Sequence, residues 1–215
     1  MYGHASDPDC FRRGHDIVMP APLKRSFIEE AIPVLENRRP RENIYFRGSI
    51  TRDNTHGDLY SKGVRQRLYE LYHRDPEFFF GDVAAYDYGH EMAEAKFCLC
   101  LPGFAPWSPR LIESVLAGCI PVIISDDIVL PFEDIVDWTK FSIRVSESDL
   151  EHLPDLLFAL TPAQVRQLLD NVERARTYFT WSELPVQGMT DGADGVVASI
   201  IFSLAKRRAE AEAGG

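Results

Sequence analysis

One segment of the chain combines a glycine-containing loop with a cation at the start of a predicted helix. It runs from Phe97 to Trp138, and its pattern indicates strand, loop, helix, strand and loop. Gly103 lies in the first loop, Ser108 is a favourable N-cap residue and Arg110 lies in the first helical turn. Free backbone N–H groups at a helix start attract anions, and a guanidinium can bind phosphate through two hydrogen bonds. The segment therefore predicts a phosphate-binding site.

Glu113 follows Arg110 by three residues, which puts both side chains on one helix face. A carboxylate one turn beyond a phosphate site is well placed to accept hydrogen bonds from ribose hydroxyls, as dinucleotide-binding folds do. However, the loop has no strict glycine fingerprint, and most Arg–Glu pairs at this spacing are solvated ion pairs. On spacing alone, a nucleotide site and a solvated pair both stay open.

The spacing of the other metal-ligating residue types argues against a metal site. Cys98 and Cys100 are spaced C-x-C, and no second cysteine or histidine pair completes a zinc set. Asp126 and Asp127 are adjacent, and we interpret them as loop carboxylates at a strand end. We therefore expect no metal and no other cofactor.

The composition excludes several classes of protein. The chain has 215 residues, of which 45% are hydrophobic, enough for one sizeable core. A formal net charge of -10 argues against binding nucleic acid or an anionic membrane surface. No apolar run is long enough for a membrane span, and the first residues do not form a signal peptide. We expect any membrane anchor or targeting segment to lie outside this chain, and a soluble protein stays open as the alternative.

Apolar strands alternate with amphipathic helices through most of the sequence, which predicts an α/β fold: a doubly wound parallel sheet with helices on both faces. Strands are predicted at 43–50, 78–80, 97–101, 119–124 and 141–145, and helices at 59–74, 86–96, 108–117, 149–160 and 162–178. We expect an irregular N-terminal arm over 1–42 with one short helix, a Rossmann-like domain over 43–205, and a frayed tail over 206–215.

Cys98 and Cys119 are predicted to form a disulfide. One lies near the start of a strand and the other opens the next strand, after a single crossover helix. Two such strands are often neighbours, and both cysteines would lie at the same end of the sheet. The alternative is a pair of small buried thiols that pack between the strands.

The sequence of the Phe97–Trp138 segment resembles the hallmark block of the exostosin family of glycosyltransferases, in its plant-type branch. The resemblance rests on FCL, P-G, WSPRLIES, GCIPVII and LPF followed by a tryptophan. It extends to CFRRGHDIVMPAP at 10–22, IYFRGSI at 44–50 and YSKGVRQRLYELY at 60–72, and so covers nearly the whole chain. It implies a GT-B enzyme with two Rossmann-like halves, of which this chain resembles the C-terminal, donor-binding one.

The resemblance also implies site residues. Arg110 matches the family's donor-phosphate arginine and Glu113 the carboxylate at the nucleotide ribose. Arg47 and Gly48 match a basic–glycine pair that ends the first strand, and Arg65 matches an arginine on the following helix. With the two loop residues, the predicted donor-binding set is Arg47, Gly48, Arg65, Gly103, Ser108, Arg110 and Glu113.

The implied activity is inverting transfer of a sugar from a UDP-sugar to a glycan or polysaccharide acceptor, without a required metal. The implied location is the Golgi lumen, where the full-length family is membrane-anchored and could associate with itself or with other glycosyltransferases. In one departure, animal members carry a second arginine where this chain has Phe104. In another, the half that supplies much of the acceptor groove has no counterpart here. We therefore leave the catalytic base unassigned and expect little transfer by this chain alone. An inactive donor-binding remnant and an interaction subunit of another glycosyltransferase stay open as alternatives.

Overall fold

The computed structural model describes residues 11–36, 41–50, 60–81, 87–181 and 195–213. The five strands are β1 (Arg41–Arg47), β2 (Phe78–Gly81), β3 (Ala95–Cys100), β4 (Ile120–Ile123) and β5 (Ile143–Arg144). The helices are α1 (Arg25–Glu36), α2 (Val64–Tyr72), α3 (Tyr88–Glu94), α4 (Arg110–Leu116), α5 (Leu153–Phe158), α6 (Pro162–Phe179) and α7 (Gly195–Ala213). Short 3-10 helices lie at Tyr60–Gly63, Trp138–Lys140 and Leu150–His152.

The strands form one parallel sheet in the order β2-β1-β3-β4-β5. After β1 the chain crosses to one side to form β2, and it then returns across β1 to add β3, β4 and β5 on the other side. Since parallel crossovers are almost always right-handed, α2 is expected on the opposite face of the sheet from α3 and α4. The helix contacts agree, since α3 packs against α1 and α4, whereas α2 packs against the 3-10 helix at Leu150–His152. The predicted doubly wound α/β fold is confirmed.

The two strands β3 and β4 have the sequence pattern of strands that are covered on both faces. Every residue from Phe97 to Cys100 and from Ile120 to Ile123 is buried. Strands covered on both faces carry continuous apolar runs rather than alternation. The order of the strands reverses between β1 and β3, and in such sheets ligands bind at the carboxyl ends of the strands that flank the reversal. The fold therefore predicts a ligand site at the loops after β1 and β3.

Part of the recognisable sequence block belongs to the core. Trp138 is buried, its ring centroid lies 5.1 Å from that of Phe179 on α6, and its indole N–H donates to the Pro131 carbonyl at 2.9 Å. Phe132 is also buried and stacks on Phe179 at 6.3 Å. The LPF motif and its tryptophan thus anchor α6 to the loop after β4 and contribute no side chain to the switch between β1 and β3.

Cys98 and Cys119 are joined by a disulfide, with their Cα atoms 5.9 Å apart. The register explains the pairing, because β3 and β4 are neighbours and Phe97 lies opposite Ile120, the residue after Cys119. Cys100 is a free, buried thiol, and burial raises its pKa to about 12. Cys10 lies outside the described residues.

The two ends of the chain differ from the sequence prediction. The N-terminal arm contains α1, which packs against α3 and so belongs to the domain. The prediction of a frayed tail from Lys206 was wrong for the described residues, because α7 continues to Ala213. Lys206 bonds to the Asp134 carbonyl, and Arg207 bonds to the Asp134 carboxylate and the Asp16 carbonyl. These bonds to residues distant in the sequence hold this charged segment against the domain, although its local sequence predicts a loose tail.

Among the described helices, none combines the length and the apolar character that a membrane span requires.

Candidate functional site

A cavity of about 630 Å³ opens beside the end of β1, at the switch point of the sheet. Four members of the predicted donor-binding set line it: Arg47, Gly48, Arg110 and Glu113. The opposite wall comes from the N-terminal arm and α1, including Lys24, Phe27 and Glu30. The arm therefore forms part of the candidate site, which the sequence prediction missed because irregular segments carry no periodicity that would place them.

Arg110 presents its guanidinium to this cavity in a fixed position. Its Nε donates to the Arg47 carbonyl at 2.6 Å, and its Cζ lies 5.2 Å from the centre of the Phe46 ring. Its two terminal nitrogens make no hydrogen bond with the described residues, and no described carboxylate forms an ion pair with it. A guanidinium held at one nitrogen and open at the other two can bind an anionic oxygen pair in the bidentate manner.

Gly48 makes room for this guanidinium. A Cβ atom at position 48 would lie 2.2 Å from Nη2 of Arg110. Since no side chain fits there unless the arginine moves, the glycine and the arginine form one structural unit across β1 and α4.

A Gly48→Ala variant should therefore bind UDP more weakly by about 1 kcal/mol, the net contribution of one hydrogen bond, because the added methyl group displaces the guanidinium. Calorimetry of UDP binding measures the loss, and circular dichroism of the same sample checks that the fold is intact. An alanine variant with unchanged affinity would show that Arg110 is free to bind from another position.

Arg47 differs from Arg110 in that its charge is already paired. Glu91 on α3 accepts from both Nε and Nη2 of Arg47, each at 2.8 Å, and also accepts from the Tyr45 hydroxyl at 2.9 Å. A Cβ at Gly81 would lie 2.6 Å from Cζ of Arg47, so a second glycine accommodates this guanidinium. The sequence does not predict a role for Glu91, because its partner Arg47 is 44 residues away and no local spacing relates the two residues.

Glu113 bonds to a tyrosine and not to its helical neighbour. The Tyr88 hydroxyl donates to Oε2 of Glu113 at 2.7 Å, and no ion pair joins Arg110 to Glu113 although both are described. Burial raises the pKa of Glu113, while the Tyr88 hydrogen bond and the charge of Arg110 oppose that rise. The solvated Arg–Glu pair that the spacing left open is therefore not present, and Glu113 is a partly buried carboxylate in the cavity wall.

Arg65 and Gly103 shape the loops around the site. Arg65 is 2% exposed, and its guanidinium donates to the Pro102 carbonyl, the Ser49 carbonyl and the Tyr60 hydroxyl. It thus ties the segment after β1 to the loop after β3. Gly103 accepts from the Ser61 amide at 3.1 Å in the same junction. Neither residue lines the cavity, so the structure places both behind the site.

Ser108 does not cap α4 as the sequence predicts. The helix begins at Arg110 with Pro109 in the N-cap position, and Ser108 Oγ is buried without a hydrogen-bond partner among the described atoms. Pro109 already has helical dihedral angles, so Ser108 directly precedes the helix, but its hydroxyl makes no hydrogen bond to a free helix amide. Because α4 has only seven residues, we attribute any anion binding in the cavity to Arg110 rather than to the helix terminus.

The remaining candidates of the sequence analysis lie apart from the cavity or beside it. Asp126 accepts from the Glu147 amide and the Ser146 hydroxyl, and Asp127 pairs with Lys62 at 2.7 Å. The described residues contain no group of three or more His, Cys, Asp or Glu that could hold a metal ion. Trp107 lines the cavity, whereas Phe104 is 77% exposed and packs edge-on against Tyr60.

The chain is similar in sequence to plant glycosyltransferases. The chain is 40% identical over 159 residues to a probable glucuronosyltransferase of Oryza sativa subsp. japonica, covering 70% of this chain and 37% of the relative. It is 37% identical over 156 residues to a probable beta-1,4-xylosyltransferase of Arabidopsis thaliana, covering 71% and 37%. It thus spans a little over a third of the length of these relatives.

Two solved structures overlap part of this chain at low sequence identity. The crystal structure of Anabaena Alr3699/HepE in complex with UDP-glucose overlaps 76% of this chain and 43% of that one, with a TM-score of 0.43 and 15% identity. A glycosyltransferase from Rickettsia africae overlaps 80% and 45%, with a TM-score of 0.43 and 13% identity. At the level of sequence, residues 2–160 match the Exostosin GT47 domain, and the chain belongs to this family of glycosyltransferases.

Proposed function

We propose that the cavity at the β1/β3 switch point binds the nucleotide part of a UDP-sugar, and that the chain acts as the donor-binding half of an inverting, GT-B-type glycosyltransferase. One observation carries the proposal: the open terminal nitrogens of Arg110 face a cavity whose wall also holds a carboxylate, Glu113. The cation suits a diphosphate and the carboxylate suits ribose hydroxyls. Titration of the chain with UDP in a calorimeter tests it, and no binding at millimolar UDP would contradict it.

The same groups would act in the transfer step. When the sugar leaves UDP, negative charge grows on the diphosphate, and a fixed guanidinium stabilises that charge without reorganisation. A base elsewhere removes the proton of the acceptor hydroxyl. Because the Arg47 charge is balanced by Glu91, Arg110 is the main positive charge available to the diphosphate among the described residues that line the cavity near β1.

The relatives suggest the wider function. Their names, glucuronosyltransferase and xylosyltransferase, support a donor that carries a uronosyl or pentosyl unit. A hexosyl unit in the donor and a glycan or polysaccharide as the acceptor stay predictions. We propose the Golgi lumen as the location, since the Cys98–Cys119 disulfide suits an oxidising compartment. Association with itself or with other glycosyltransferases stays a prediction, which co-purification would test.

An inactive donor-binding remnant is the second candidate, because no described residue has been assigned as the catalytic base. An assay of donor hydrolysis separates the two. Release of UDP from a UDP-sugar, lost in Arg110→Ala, would support an enzyme, while UDP binding without any release would support a remnant or a subunit that assists another glycosyltransferase.

UDP binding should not depend on a divalent metal, because a protein cation takes the place of the metal at the diphosphate. We expect the affinity in excess EDTA and the affinity with added manganese to agree within error. A tenfold loss in EDTA would contradict this expectation. Such a loss would indicate a metal site at Asp126 and Asp127, and replacing both with asparagine should then reproduce the loss.

A further inference from the structure

Tyr88 links the wall of the cavity to the core of the domain. Its hydroxyl donates to Oε2 of Glu113 at 2.7 Å, and both residues line the cavity. Its ring lies 5.5 Å from the ring of Phe27 on α1 and 6.4 Å from that of Tyr45 on β1. The hydroxyl is therefore held in place from two sides. Burial raises the pKa of Tyr88 well above its usual value, so the hydroxyl keeps its proton and stays a donor at neutral pH.

The hydrogen bond from Tyr88 occupies only one oxygen of the Glu113 carboxylate. No described residue donates to the other oxygen, Oε1, and this oxygen is not among the fully buried polar atoms that lack a partner, so it is accessible to water or a ligand. A carboxylate oxygen that is bonded to no protein donor can accept from a ligand hydroxyl in place of water, and hydrogen bonds to charged groups are among the stronger ones. The cavity thus contains an anionic acceptor that a ligand with hydroxyl donors would satisfy.

We propose that Tyr88 is a positioning residue that fixes Glu113 so that its free oxygen accepts from the ribose 2′-hydroxyl, and that the site thereby selects ribonucleoside over 2′-deoxyribonucleoside diphosphates. This inference rests on the proposed donor site. A carboxylate tethered at one oxygen cannot rotate away from the ligand. A site built to bond a hydroxyl also rejects an analogue that lacks it, because its own acceptor is then left unpaired.

The test compares wild type and Tyr88→Phe by calorimetry with three ligands: UDP, 2′-deoxy-UDP and pyrophosphate. Phenylalanine keeps the ring contacts and removes only the hydroxyl. Wild type should bind UDP about 10-fold more tightly than 2′-deoxy-UDP, the order expected for one hydrogen bond to a charged group. In Tyr88→Phe, UDP affinity should fall about 3- to 10-fold, the ratio between the two nucleotides should shrink, and pyrophosphate affinity should stay the same.

Two further variants separate positioning from general stability. Tyr72 is a matched control, since its hydroxyl donates to the carbonyls of Leu150 and Glu151 on the other face of the sheet. Tyr72→Phe should lower the melting temperature without changing the nucleotide ratio. In a Glu113→Gln background, Tyr88→Phe should cause little further loss, because the hydroxyl acts only through the carboxylate.

Three results would overturn the inference. The first is an unchanged nucleotide ratio in Tyr88→Phe, and the second is a full additional loss in the Glu113→Gln background. The third needs no variant: equal affinity of wild type for UDP and 2′-deoxy-UDP. In each case, continued weakening of UDP by Arg110→Ala would show that the donor site itself stands. Failure of wild type to bind UDP at all would instead refute the proposed function.

Discussion

Replacing Arg110 with alanine should weaken UDP binding by roughly 1.5–3 kcal/mol, the range for hydrogen bonds that involve a charged group. The loss is expected to be large because neither Arg47 nor Arg65, the other two arginines of the predicted donor-binding set, is placed to substitute for this side chain. The Arg47 guanidinium is bound to Glu91 by two hydrogen bonds, and the Arg65 guanidinium is buried behind the site. Calorimetric titration of UDP into wild type and variant measures the difference.

Two variants make this result specific. Arg110→Lys keeps the charge and loses the planar fork, so it should recover only part of the affinity. Arg67→Ala removes an exposed arginine of α2 that pairs with Glu151, and it should leave UDP affinity unchanged. Pyrophosphate should lose as much affinity as UDP in Arg110→Ala, because the arginine is assigned to the diphosphate. Equal UDP affinity in wild type and Arg110→Ala would remove the phosphate assignment.

The order of strands and helices could be predicted because its signals are local. The runs FCLC and IPVI are continuous and apolar, as strands buried on both faces must be, and the intervening helix carries its own pattern. The cysteine pair could be predicted for the same reason, since the register of adjacent strands follows from one short crossover. Arg110 could be predicted as the cation of the candidate site because it lies at the start of the helix that follows a strand.

The partners of these residues could not be predicted, because they lie far away in the chain. Glu91 is 44 residues from Arg47, and Tyr88 is 25 residues from Glu113. Both partners lie on α3, whose sequence indicates only a short helix. Resemblance did not supply them either, and it placed Arg65 with the donor-binding residues although its side chain bonds to backbone carbonyls of two loops. A sequence block can mark a site without telling which members touch the ligand.

The Phe97–Trp138 segment therefore divides into two structural roles. Its first part, around Arg110 and Glu113, forms the cavity wall, while its last part, around Phe132 and Trp138, packs against Phe179 of α6. The two parts are joined by β4, which is buried throughout. A substitution in the last part should act through folding, and one in the first part through binding. Measuring both stability and UDP affinity for each variant distinguishes these routes.

Removing the Cys98–Cys119 disulfide should destabilise the domain by about 3 kcal/mol, because the bond closes a loop of 21 residues and so restricts the unfolded chain. The Cys98→Ala/Cys119→Ala double variant is the appropriate one, since both side chains are at most 1% exposed and serine would bury two hydroxyl groups. The free energy of unfolding by urea, measured for protein with the bond intact and for the variant, gives the difference. Reduced wild type should resemble the variant.

Cys100→Ala supplies the matched control for this measurement. Cys100 lies on the same strand, is also buried and carries a free thiol, so its loss reports the packing cost of removing a sulfur atom without removing a cross-link. We expect its cost to be about 1 kcal/mol, typical of a small change in a core. Only the excess in the double variant belongs to the disulfide. Peptide mapping under non-reducing conditions gives an independent check on protein from a secretory host, where Cys98 and Cys119 should be recovered in one linked pair of peptides. Their recovery as free, alkylatable thiols, together with equal stability of the oxidised wild type and the double variant after the packing correction, would show that the two side chains only pack between β3 and β4.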